Sequence, residues 1–147
     1  MKWSPEKCLP GDMIRIRLGR FCHYGIYVSD EEVIQFGLPP VGGLPKNGDG
    51  IRVLSTDIDT FSCGKIVEVG VPERAGGEKR RRFSAKKTVE NARARLGEGG
   101  YNVLHNNCEH FVWECAFGIH RSTAEDEAQA RWRKLLSDKD RESGSAK

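Results

Sequence analysis

Cys108 stands in a stretch that opens polar, as His105-Asn106-Asn107-Cys108-Glu109-His110, and closes apolar, through Phe111-Val112-Trp113 to Cys115-Ala116-Phe117-Gly118. The apolar half has the pattern of a buried helix of about three turns, and Asn106 or Asn107 suits its N-cap. Cys108 then falls in the first turn, where backbone N–H groups lack intrahelical partners and the macrodipole is positive. A thiolate is favoured in such a place, so the expectation is a lowered thiol pKa and a nucleophile. Cys115, deeper in the apolar run, reads as an inert buried thiol.

A cysteine nucleophile needs a base within hydrogen-bond reach and a third polar group that fixes the tautomer of that base. On a helix His110 points away from Cys108, while His105 precedes the cap and His120 lies beyond Gly118. His23 remains, in the middle of the strand pattern Phe21-Cys22-His23-Tyr24-Gly25-Ile26-Tyr27-Val28, and a strand histidine can face a helix packed on its sheet. Gln35 lies on the following strand, where a short hairpin makes it a cross-strand neighbour of His23. Its amide oxygen can accept from one imidazole N–H and leave the other ring nitrogen toward sulfur. The expected catalytic set is therefore Cys108, His23 and Gln35, with no cofactor. A zinc site built from Cys22, His23, Cys108 and His110 is the weaker reading, because no CxxC occurs and Cys22 and His23 fall on opposite faces of a strand.

The elements that must position these residues are legible as a pattern. Pro10-Gly11-Asp12 is a turn signal, followed by strand candidates at 13–18, 21–28, 33–36, 51–54 and 65–71, with 29–32 as a hairpin connection and 55–64 as a turn. The stretch 38–50, with three prolines and four glycines, is too punctuated for a helix or central strand and reads as a mobile surface loop, or else a lid. A helix is expected over 84–96, capped by Ser84 and stopped by Gly97, and another over about 123–137, where Ala124, Ala128, Trp132, Leu135 and Leu136 share a face. That last helix is expected to dock on the domain, with an interfacial helix as the alternative. The run Glu78-Lys79-Arg80-Arg81-Arg82 reads as a solvated face; without interleaved aromatics it argues for no nucleic-acid groove. The fold class is α+β, a mainly antiparallel sheet of about five strands packed against helices, in one domain at 1–138 with a disordered tail at 139–147.

At 147 residues the chain is long enough to build a core without staples. Its net charge of +3 permits contact with anionic surfaces without arguing for it. Five cysteines without a regular framework, an N-terminus without an apolar signal core, and no run of about 18 apolar residues lead to the expectation of a cytoplasmic protein with no signal peptide or transmembrane segment.

The turn at Pro10-Gly11-Asp12, the strand from His23 to Val28, the block Val33-Ile34-Gln35-Phe36-Gly37 and the late Asn107-Cys108-Glu109-His110-Phe111 together resemble the lecithin:retinol acyltransferase-like family, over roughly residues 8–118. The resemblance implies a circularly permuted NlpC-type, papain-like fold and acyl transfer or hydrolysis on acyl lipids through a thioester. It also implies that His23 is the general base, Cys108 the nucleophile and Gln35 the third member, a position the family usually fills with histidine. Substrates would be acyl lipids, with peripheral membrane contact. A thiol amidase or peptidase of the same fold is one alternative, and a binding or regulatory domain is the other, favoured by the neutral Gln35.

Overall fold

The computed structural model describes residues 1–43, 48–74, 77, 81–104 and 106–145, with side chains through 138. Six strands are present among these residues: β1 (Lys2–Ser4), β2 (Met13–Leu18), β3 (Phe21–Ser29), β4 (Glu32–Phe36), β5 (Val53–Thr56) and β6 (Glu68–Val71). They form one antiparallel sheet in the order β1-β6-β2-β3-β4-β5. The sixth strand, absent from the sequence reading, is β1, whose three residues carry no periodicity but pair with β6 from Lys2↔Val71 to Ser4↔Val69. The fold is α+β, as expected.

Four helices accompany the sheet among the described residues: α1 (Ile58–Ser62), between β5 and β6, then α2 (Ala85–Ala94), α3 (Cys108–Phe117) and α4 (Thr123–Ser145). α1 occupies part of the stretch read as a turn. Asp57 caps it by accepting from the Thr60 N–H, and Cys63 closes it in the left-handed region at φ 51°. α2 starts as expected at Ser84, whose hydroxyl accepts from the Lys87 N–H. α3 is capped by Asn107 at one end and by Gly118 at the other, where φ is 69°. α4 runs to Ser145, past the end near 137 suggested by its pattern.

Both faces of the sheet are apolar, and strand alternation divides them. Met13, Tyr24, Ile26, Ile34, Phe36 and Val53 pack against α2 and α3, where they meet Ala92, Phe111, Val112 and Ala116. Ile14, Ile16, Tyr27, Val33 and Val69 form a second core with Phe61 of α1. At Gly25 on β3 an added Cβ would lie 2.8 Å from the Phe61 ring of α1.

α4 departs from the docking expected of it. Its first turn is held by polar bonds, from the Thr123 N–H to Glu109 Oε1 (2.8 Å) and between Glu125 and His110 (2.7 Å). Beyond that turn Ala128 is half-buried, while Trp132, Leu135 and Leu136 are 63%, 62% and 47% exposed. Of the basic run, residues 78–80 lie outside the described residues. Arg82 is not simply solvated, because its guanidinium reaches the carbonyl of Gly11 at the β2 entrance.

Candidate active site

Cys108 is the first residue of α3, and Asn107 prepares its surroundings. The Asn107 side-chain oxygen accepts from the N–H groups of Glu109 (2.9 Å) and His110 (3.1 Å), while the Asn107 backbone N–H donates to His110 Nδ1 (3.0 Å). This reciprocal cap satisfies donors that a helix start otherwise leaves open. The Asn107 amide also donates to Val103 O and Ser122 Oγ, which ties the start of α3 to the loop before α4.

The thiol meets the sheet where two strands part. The Tyr27 N–H bonds toward β2, at Asp12 O, so by alternation the Tyr24 N–H points to the β4 side. The β3–β4 ladder ends at Gly25↔Gln35, one residue short of Tyr24. In place of a strand partner, the Tyr24 N–H faces the Cys108 thiol, together with the N–H groups of Cys108 itself and Glu109.

These three donors all favour a thiolate, as the helix start led one to expect, but burial outweighs them. Desolvation, assisted by the neighbouring Glu109 carboxylate, pushes the Cys108 thiol up to about 12. The expectation of a lowered pKa is therefore reversed in the resting chain. Of the polar residues around Cys108, Asn107 and His110 are bound to each other in the cap, and the Glu109 carboxylate accepts from Thr123.

His23 is 2% exposed, and its Nε2 lies 2.7 Å from Gln35 Oε1. Gln35 Nε2 donates to Thr56 Oγ1 (2.7 Å), and that hydroxyl donates to Asp57 O (2.9 Å). Because the amide N–H₂ is committed to Thr56, the Gln35 oxygen must accept. His23 Nε2 then carries the proton, and Nδ1 is the basic nitrogen. Thr56, which completes this chain, carried no signal in the sequence. Burial holds His23 at about 4, with the Gln35 hydrogen bond opposing the shift.

The structure brings His23 and Gln35 together and leaves Cys108 without a hydrogen bond to either. His23 and Gln35 share the sheet face of Phe61, whose ring centroid is 5.4 Å from the imidazole. Tyr24, adjacent to His23, shares the core of Cys108 and α3. His105 lies outside the described residues.

Two histidines set aside in the sequence reading meet elsewhere. His110 and His120 stack at 3.8 Å and 8°, and with Glu125 they bring ligand-type atoms within 4.8 Å of one another, the one such cluster among the described residues. His110 Nδ1 accepts from the Asn107 N–H, so its Nε2–H donates to Glu125 and offers no lone pair to a metal. The cluster is a tie between α3 and α4, completed by His120 against Glu114. The sequence signal was the capping box, Asn107 with His110 three residues on.

The family model for lecithin retinol acyltransferase matches residues 6–121, from before β2 through α3. Lecithin retinol acyltransferase of Bos taurus is 29% identical over 136 residues, covering 80% of this chain and 58% of that protein. The Mus musculus protein of that name is 27% identical, covering 74% of the chain and 54% of the relative. Phospholipase A and acyltransferase 1 of Homo sapiens is 26% identical over 78% of the chain and 70% of its own length. The chain thus spans little more than half of the lecithin retinol acyltransferases it matches. With the family model covering β2 to β6 and the Cys108 helix, the chain belongs to the lecithin retinol acyltransferase family.

Proposed function

We propose that this chain is a cysteine-dependent acyltransferase or hydrolase of acyl lipids, with Cys108 as nucleophile, His23 as general base and Gln35 as the group that orients His23. The observation that carries the reading is the convergence of the Tyr24, Cys108 and Glu109 N–H groups on one thiol at a helix start, in a chain of a family whose relatives are named for acyl transfer to retinol and for phospholipase A activity. Such donors stabilise a thiolate and the oxyanion that forms beside it.

In the proposed sequence His23 Nδ1 accepts the thiol proton after its ring has left the Phe61 face on which it rests in the resting chain. Hydrogen bonds that are long in the resting state commonly close only in the substrate complex. Sulfur attacks the acyl carbonyl, the leaving alkoxide takes the proton from His23, and a thioester remains on Cys108. Water then gives hydrolysis, while an alcohol or amine gives transfer. We propose that residues 1–138 work as one unit, and that the five free cysteines belong in a reducing cytoplasm. The uncovered Trp132, Leu135 and Leu136, beside Arg131, Arg133 and Lys134, support peripheral contact with an anionic membrane.

The test is acylation followed by intact mass and peptide mapping with a phosphatidylcholine donor. An acyl adduct on Cys108 is expected, lost in Cys108→Ala and kept in Cys115→Ala; equal adduct in both variants sinks the assignment. A second reading, a binding domain without turnover, is favoured by the absence of a Cys108–His23 hydrogen bond in the resting chain. Binding of the donor without any adduct is the outcome that selects it.

A further inference from the structure

His23 and Cys108 open onto two different hollows that share one wall. His23 lines a cavity of about 370 Å³ whose other walls include Phe36, Leu38, Pro40, Ile51 and Leu54. Cys108 lines a more polar cleft of about 250 Å³ with Arg15, Arg20, Tyr24, Asn107 and Glu109. Tyr101 borders both. Its ring stands edge-on to Phe36 at 5.0 Å and 88°, so the buried aromatic of β4 fixes the wall on the cavity side. On the cleft side Tyr101 lies close enough to Cys108 that a thiolate there would oppose ionisation of its phenol.

The chemistry of the two hollows differs in the way an acyl ester differs along its length. The cavity is walled by apolar side chains, its buried polar group is the His23 imidazole, and the charge of Arg52 stays at its exposed rim. The cleft holds the nucleophile, the three N–H groups and two arginines. An ester carbonyl placed at Cys108 has its hydrocarbon on one side and its alcohol on the other. Its alcohol side, with any phosphate, fits the cleft, where Arg20 is exposed. The hydrocarbon then finds an apolar hollow on the far side of Tyr101.

We propose that the cavity between Phe36, Ile51 and Leu54 is the acyl-chain site, and that Tyr101 is the wall past which the chain threads from the Cys108 cleft. The inference rests on the acyl-transfer reading above and adds to it the chain-binding residues and the specificity they confer. The size falls within the range of about 300–1,000 Å³ common to small-molecule sites. Leu54 and Ile51 thereby set how long a chain is accepted. Neither takes part in the chemistry, because neither lines the cleft that holds Cys108.

The experiment uses the full chain, Leu54→Trp and Tyr101→Ala, with acetyl and decanoyl p-nitrophenyl esters as donors and adduct on Cys108 as readout. Leu54→Trp fills the cavity and is expected to lower decanoyl acylation by about tenfold or more relative to acetyl, the order that misfitted methylenes produce in an apolar pocket. Tyr101→Ala merges the two hollows and is expected to raise the decanoyl-to-acetyl ratio. In parallel, a nitroxide-labelled fatty acid is expected to broaden the NMR signals of His23 and Tyr101 in the parent chain and not in Leu54→Trp. Acylation of Cys108 with a chain-length ratio unchanged in both variants overturns the cavity while sparing the acyl-transfer reading. Broadening that Leu54→Trp abolishes, without acylation by any donor, keeps the cavity and removes the acyl-transfer reading. A Leu54→Trp chain too unstable to assay leaves the decision to Tyr101→Ala and the parent chain, where absent broadening and an unchanged ratio overturn the cavity.

Discussion

The backbone N–H of Tyr24 on β3 faces the thiol of Cys108 on the first turn of α3. A strand donor that would otherwise continue the ladder to β4 has been turned over to a sulfur atom. This requires β4 to leave β3 after Gln35, and the same separation frees the flank of the sheet on which His23 and Tyr101 open.

The resting thiol should be protonated and unreactive. With Cys108 held up to about 12 by burial, its alkylation rate is expected to climb about tenfold per pH unit between about pH 8 and pH 10, without a plateau. Iodoacetamide labelling with peptide mapping checks this. A plateau near the ordinary thiol value would mean that the N–H donors prevail over desolvation.

Acid should unfold the chain through His23. Its folded pKa is depressed from 6.5 to about 4, so the unfolded chain takes up a proton that the native chain refuses. The stabilisation is complete above about pH 6.5 and is lost as pH falls through about 4, for a total of about 3 kcal/mol. Urea unfolding across that window should show this slope in the parent chain, and His23→Gln should flatten it. A slope of equal size in both chains assigns the acid sensitivity to other groups.

The uncovered stripe of α4 should place the chain on lipid. Trp132→Ala with Leu135→Ala is expected to reduce co-sedimentation with vesicles of anionic phospholipid by about tenfold or more, since each large apolar side chain contributes roughly 1.5–3 kcal/mol when buried. Both side chains are mostly exposed, so the melting temperature should stay close to that of the parent. Unaltered sedimentation at low and high salt would contradict the interfacial role.

Much of this arrangement was legible in the sequence, for reasons that particular residues make plain. Ser84 and the pair Asn106-Asn107 are strong cap types and marked where their helices start, with the structure choosing Asn107, and the alternation of Met13-Ile14-Arg15-Ile16 marked a strand. His23 and Gln35 were neighbours by hairpin arithmetic alone. Which face of the sheet α3 covers was not legible, because Met13, Ile26, Ile34 and Phe36 on one face are as apolar as Ile14, Ile16, Tyr27 and Val33 on the other. Periodicity separates the two faces without saying which receives α3. The direction of the Cys108 shift was hidden for a similar reason: a helix start is a local feature, whereas desolvation depends on what the rest of the chain lays over it.

Concealment of the thiol also bears on oxidative chemistry. Peroxide attacks exposed thiolates, and Cys108 in the resting chain is neither exposed nor ionised. Cys63, at the surface where α1 ends, stands in the open. Sulfenic acid should therefore appear at Cys63 well before Cys108, whose own burial keeps it reduced.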